Sequence, residues 1–262
     1  MMNSKSKTKA IFTTSGSMAA PSRRVWSGKI WVGAVLTVVV FALLVKLGFW
    51  QLGRGEEKQR LEASLAARAQ MAPLSLAVAL ERYPMAELTG LRVTVTFDPH
   101  TDATFLLDNQ TFEGKVGYLA YQLAKQQDGH WMLIERGFVP AGNDRRVLPK
   151  VDWLSEPQTL TGRLYARSPN PLSSSLGLEA GNPHRIQNLN MDELSQWLGT
   201  PILPLAFQPQ QTNWPYPQPW QPLAMSAQKH FGYALQWFTM AAVLAVIALV
   251  IGLRVWRARR HQ

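Results

Sequence analysis

Two long apolar runs, one near each end, constrain this chain more than any other feature. Residues 30–45 are uncharged, and beyond the single Lys46 the run continues as Leu47-Gly48-Phe49-Trp50-Gln51-Leu52. Residues 231–253 contain no charge at all. At about 1.5 Å per residue, each run is long enough as a helix to cross a hydrocarbon core about 30 Å thick. The core helix of a soluble protein is usually shorter and turns a polar face to water within a few turns. The expectation is two transmembrane helices, 30–52 and 230–253, with a 53–229 domain between them and tails at 1–29 and 254–262.

The formal net charge of +10 invites a nucleic-acid reading until its location is examined. Lys5, Lys7, Lys9, Arg23, Arg24 and Lys29 precede the first run, and Arg254, Arg257, Arg259 and Arg260 follow the second. No Asp or Glu accompanies either group. All 17 acidic residues and 16 of the 27 Lys/Arg lie in 53–229. The basicity is a topology signal: flanks rich in Lys and Arg stay in the cytoplasm, which places both tails inside and 53–229 outside. Binding of DNA or RNA loses its electrostatic support. Cysteine is absent, which removes disulfides, thiolate metal sites and a cysteine nucleophile. The late and long first run does not match a cleavable signal peptide. The acid-free, Ser- and Lys-bearing start has something of a mitochondrial presequence. Its low Arg content and lack of an amphipathic pattern favour a bacterial inner membrane over the mitochondrial one.

Between the spans, residues 55–70 read as a charged helical rod with one apolar stripe, Leu61, Leu65 and Ala69, fit to lean on a domain. Pro73 stops it, and a further helical turn or two is expected over 74–80. From residue 88 the period changes to two. Strands are expected at 91–97, 104–110, 115–123, 131–139, 158–166 and 185–189, with Asp98-Pro99-His100 as a turn and Asp128-Gly129 as a hairpin. Asn190-Met191-Asp192-Glu193 reads as a capping box opening a short helix that ends at Gly199. A last strand is expected at 203–208, then an irregular tether over 208–222, rich in Pro, Gln and Trp. The fold class is thus two transmembrane α-helices flanking a mainly antiparallel β domain, a sheet or small barrel, with short helices outside the cytoplasm.

Enzyme signatures are lacking: there is no phosphate-binding glycine loop, nucleophile elbow or His-Glu-x-x-His. The five histidines are scattered, with His100 and His130 at predicted turns. The informative residues cluster where the chain meets the outer membrane surface. Gly48-Phe49-Trp50-Gln51-Leu52-Gly53-Arg54 closes the first span, and His230-Phe231-Gly232-Tyr233-Ala234-Leu235-Gln236-Trp237-Phe238 opens the second. An interfacial aromatic belt accounts for Trp50, Tyr233 and a snorkelling Arg54. It accounts less well for Gln51, Gln236 and His230. His230, Tyr233 and Trp237 fall at i, i+3 and i+7 on one helix face, and a polar face at membrane depth turns toward protein or ligand rather than lipid. Two readings stand on these residues: helix packing, or an imidazole available as an axial haem ligand with nearby arginines for propionates.

The second of these segments resembles the C-terminal signature of the surfeit locus protein 1 family, a His followed by Tyr-Ala and Trp-Phe. The first resembles its N-terminal Gly-x-Trp-Gln-x-x-Arg. Gly114 to Gly117, followed by Glu135-Arg136-Gly137-Phe138-Val139-Pro140, is similar to the family's hairpin ending in Asn-Arg-Gly-Trp-Val-Pro, with Glu135 and Phe138 departing from it. Thr161-Gly162-Arg163 and Arg185-Ile186-Gln187-Asn188-Leu189 resemble weaker blocks. The resemblance implies an assembly factor, not an enzyme, for haem-A-containing cytochrome c oxidase, holding haem A and aiding its insertion into the catalytic subunit. It implies His230 as ligand to the haem iron. Trp50, Gln51, Arg54, Tyr233 and Trp237 would shape the site, with Arg54 facing a propionate and Arg136 a more distant second cation. Partners implied are the oxidase catalytic subunit, membrane lipids and, as a further candidate, haem A synthase. The alternative is a scaffold for the nascent subunit that never holds haem.

Overall fold

The computed structural model describes residues 23–166, 174–220 and 225–260. The predicted tail up to residue 22, the end of the predicted tether at Gln221 and Pro222, and His261 lie outside the described residues. By contact the chain divides into two compact units, one comprising Met1–Leu52 with Phe231–Gln262 and the other Gly53–His230.

The first unit is a helix pair. Helix α1 runs Arg23–Gln70 and α4, the last element of the chain, Ala227–Arg260. Both are long and apolar enough to cross a membrane, with mean hydropathy 2.5 and 2.4 over their spanning windows. The chain is a membrane protein. Small residues set the packing. A Cβ on Gly48 would sit 2.6 Å from the Phe238 ring, so glycine lets that ring lie against the α1 backbone. Phe49 meets Phe238 edge-on at 5.2 Å, and Ala234 and Ala241 are buried.

The first span and the rod are one element, for α1 is a single helix of 48 residues. Gly53 and Gly55 each cost about 1 kcal/mol in a helix interior, which is less than uncapping two new helix ends. The rod's stripe is also narrower than expected. Only Leu65 is buried, while Leu61 and Ala69 are exposed. Leu65 packs over Gly90, and Arg68 Nη1 donates to the Thr89 carbonyl at 2.9 Å.

The second unit is a small barrel. After β1 (Leu74–Ser75) and α2 (Leu76–Arg82) come β2 (Arg92–Phe112), β3 (Lys115–Gln126), β4 (Trp131–Pro140) and β5 (Gln158–Tyr165). Then follow β6 (His184–Ile186), α3 (Met191–Leu198) and β7 (Ile202–Pro209). Strands neighbour one another in the order β2-β3-β4-β7-β5, and β5 returns to β2, so the ring closes. All ring pairings are antiparallel except β4 with β7. Closure leaves fewer unpaired edges than an open sheet.

Closure depends on one long strand. The amino-terminal part of β2 pairs with β5 and its carboxy-terminal part with β3. The predicted turn at Asp98-Pro99-His100 is instead a bend inside β2, with a register shift between Pro99 and Thr104. A bulge tolerates the missing proline N–H and redirects the strand without ending it.

Alternation puts apolar side chains on both sides of the wall. Val93, Val95, Phe97, Met132, Ile134, Leu205 and Phe207 pack with Leu76 and Ala79 of α2. Phe105, Leu119, Tyr121, Leu133 and Ala206 pack with Leu194 of α3. Each such side chain contributes roughly 1.5–3 kcal/mol by leaving water. Asn190 caps α3 as predicted, its side chain accepting from the Asp192 and Glu193 amides. The reciprocal half of the box is absent. Glu193 instead accepts from the Asn190 side-chain amide and from the Leu176 amide, tying α3 to the preceding loop. Gly199 ends the helix at φ +65°.

Candidate functional site

Trp50, Gln51 and Arg54 lie within one turn of α1, and His230, Tyr233 and Trp237 lie in the first turns of α4. In the helix pair, Trp50 is 56% exposed and Tyr233 44%, whereas Gln51 and Trp237 are half-buried. The two exposed rings have surface free for lipid or a partner.

His230 belongs to the second unit and is buried at 9% exposure. Its helical turn is fastened where it begins. Glu62 of α1 accepts a hydrogen bond from the Ala227 amide at 3.0 Å. A carboxylate at a helix N-terminus satisfies an otherwise orphaned N–H and complements the helix dipole, worth roughly 0.5–2 kcal/mol. No acid stands in the first turn of α4 itself, so the cap comes from elsewhere in the chain. Sequence reading missed Glu62, because its spacing to residue 227 carries no local signal. Arg54 pairs with Glu57 at 2.5 Å, both side chains well exposed. Exposed pairs of this kind are worth under about 1 kcal/mol, so the guanidinium can exchange partners cheaply.

Arg136 is placed very differently. It is 2% exposed. Its Nε and Nη2 donate to the Asp152 carbonyl at 3.0 and 2.6 Å, and its guanidinium lies over the Trp214 and Tyr216 rings at 4.5 and 5.9 Å. Burial lowers its pKa, and Asp152 and Tyr216 partly oppose that. It is an anchor for the segment 210–220, the expected tether, which has no helix or strand but is bound closely to β4. Trp214 Nε1 donates to the Arg136 carbonyl at 2.7 Å, and the Phe138 amide donates to the Pro217 carbonyl at 2.7 Å. The tether is a strap.

A second arginine seats its other end. Arg163 stacks on Trp220 at 3.8 Å and donates through Nε to Gln208 Oε1 at 2.7 Å. Gln208 Nε2 in turn donates to Glu135 at 2.8 Å, and the Tyr165 hydroxyl donates to the other Glu135 oxygen. Burial, then the Glu135 charge, push the Tyr165 pKa well above its ordinary 10.0. A raised tyrosine pKa means the folded state keeps a proton that the unfolded chain loses. Stability should therefore be intact below pH 10 and fall above it, by up to about 1.4 kcal/mol per pH unit. Unfolding of wild type and Tyr165→Phe in denaturant between pH 9 and 11.5 checks this. The wild-type curve should be the steeper, and parallel curves would remove Tyr165 as the cause.

Among the described residues no group of three His, Cys, Asp or Glu is placed to hold a metal ion. Iron ligation through His230 would need a macrocycle supplying the remaining ligands. Comparison with known proteins gives a consistent answer. The model of the SURF1 family matches residues 38–242, which include Trp50, His230 and the whole barrel. A SURF1-like protein of Rickettsia conorii is 26% identical over 242 residues, covering 82% of this chain and 89% of that one. A SURF1-like protein of Rickettsia felis is 25% identical over 234 residues, covering 82% and 95%.

Proposed function

This chain belongs to the SURF1 family, a family linked to cytochrome oxidase assembly, and from that premise we propose that it holds haem A during assembly and aids its insertion into the oxidase catalytic subunit. The observation that carries this reading is His230, a buried imidazole in a helical turn that Glu62 fixes from outside. A neutral imidazole is a standard axial ligand for haem iron. Arg54 suits a propionate because its present partner, Glu57, is exposed and weakly held. Trp50, Gln51, Tyr233 and Trp237 supply ring surface and amide polarity. Bound haem would supply iron as the acceptor for His230, and this chain's part is to bind, orient and release it. Arg136, buried beneath the strap, is assigned to holding the strap rather than to a propionate. The basic flanks support both termini lying on the cytoplasmic side, and the low Arg content of residues 1–29 favours a bacterial inner membrane.

The test is a visible spectrum of the full chain purified after co-expression with haem A synthesis. A Soret band is expected, and His230→Ala should shift it and reduce haem occupancy at least about tenfold. Full occupancy in His230→Ala would remove His230 from the role. A second reading, a scaffold for the nascent subunit, draws on the exposed Trp50 and Tyr233 rings. It predicts capture of the oxidase subunit with no Soret band at all.

A further inference from the structure

The helix pair closes at Gly48, Ala234 and Ala241 but opens toward its basic ends. There the two helices border an apolar groove of about 730 Å³, lined by Trp31, Gly33 and Thr37 of α1 and Ala248, Gly252 and Trp256 of α4. A Cβ added to Gly33 or Gly252 would meet nothing within 4 Å, in contrast with Gly48. Small residues that face each other across transmembrane helices ordinarily let backbones approach. Here they form the floor of an open groove.

The helix ends beyond the groove carry charge of one sign. Lys29, Arg254, Arg257 and Arg260 are all exposed, and no Asp or Glu occurs in residues 28–52 or 231–260. Arg260 is held at the rim, its guanidinium 3.7 Å from the centre of the Trp256 ring, and Trp256 itself lines the groove. A cation fixed over a groove-lining ring is better placed than one on a free tail. We propose that this groove binds an anionic phospholipid, with an acyl chain along Gly33, Thr37, Ala248 and Gly252 and the phosphate at Arg260, within the basic end of the helix pair. A third helix could fill the apolar part, but it would bring no countercharge to that basic end. The lipid supplies both, and basic pockets between transmembrane helices favour anionic headgroups.

The full chain is reconstituted in nanodiscs of equal phosphatidylglycerol and phosphatidylcholine, and retained lipid is measured by native mass spectrometry. Phosphatidylglycerol should be retained roughly tenfold over phosphatidylcholine. Gly252→Leu fills the groove without altering charge and should abolish retention of one lipid per chain. Gly33→Leu, on the opposite wall, should do the same. Both substitutions replace a helix-interior glycine by a better helix former in open space, so the helices persist. Arg257→Gln with Arg260→Gln should leave a retained lipid but bring the two headgroups to parity. Equal retention of both lipids by wild type would overturn the proposal. So would retention unaffected by Gly252→Leu, which would place the lipid on the basic tails alone. A dimer that dissociates on Gly252→Leu would show that the groove holds a second copy instead.

Discussion

Replacing Gly137 by Val is expected to release the strap from the barrel and to cost the barrel unit roughly 3–5 kcal/mol. Gly137 has φ +119°, a conformation that a β-branched residue adopts only under strain. A Cβ there would lie 2.6 Å from the Pro217 carbonyl oxygen and 2.7 Å from Tyr216 Cβ. The obstacle is strap backbone and not the end of a flexible side chain, so the strap itself must move. Moving it sacrifices the bonds from the Phe138 amide to Pro217 and from Trp214 Nε1 to the Arg136 carbonyl, at about 1 kcal/mol each. It also takes Trp214 and Tyr216 off the Arg136 guanidinium. Tryptophan-fluorescence unfolding of the full chain in detergent measures the loss, and limited proteolysis reports whether 210–220 becomes cleavable. Gly137→Ala should move both readouts in the same direction by less. A Val variant with the wild-type midpoint and an uncut strap would show that this close approach is not what binds it.

The strap explains why two short motifs of the barrel stand out in sequence. Arg136-Gly137 and Gly162-Arg163 each pair a stacking arginine with a glycine that admits another segment. At Gly162 an added Cβ would meet the Gln208 carbonyl at 2.3 Å and the Phe207 ring at 2.7 Å. Each arginine carries a tryptophan of the strap, Trp214 on one and Trp220 on the other. The motifs were visible in the residues, but their partner was not, because the strap lies about fifty to eighty positions away and shows no periodicity. What could be read directly was local: the two spans by hydropathy, the strands by alternation, and the Asn190 cap by its spacing to Glu193. The choice between sheet and small barrel stayed open in the sequence because closure rests on a parallel pairing of β4 with β7 and on β2 having two partners, neither of which leaves a period in the chain. The continuity of α1 was not legible because the apolar span and the charged rod differ in composition, and nothing local says that two helix-interior glycines cost less than two more helix ends. For the site, the residues around His230 were legible as a motif, while Glu62, which fixes their turn, was hidden by a separation of 165 residues from its partner.

Glu135→Ala is the other substitution with a large expected cost, about 3–5 kcal/mol, in a domain whose whole stability is of order 5–15 kcal/mol. Glu135 is 1% exposed and accepts from Gln208 Nε2 and the Tyr165 hydroxyl. Its charge also bears on Arg163, a guanidinium whose pKa burial lowers and Glu135 raises. Truncation leaves the Gln208 amide without that acceptor and Arg163 partly buried without its countercharge, and opens a void where the carboxyl stood. Removing one member of a buried charged set costs more than never having had the set, since the survivors remain desolvated. Glu135→Gln separates the two contributions. It keeps the volume and one acceptor oxygen, so only one donor is left facing an amide, and the expected loss is roughly 1–3 kcal/mol. Asparagine is a methylene shorter and falls between the two. Because Arg163 also seats Trp220, the Ala variant should expose that end of the strap, seen as a red shift in tryptophan emission before any unfolding. Equal midpoints for wild type and Glu135→Gln would mean that the charge on Glu135 contributes nothing, and the network would then be held by shape and hydrogen bonds alone.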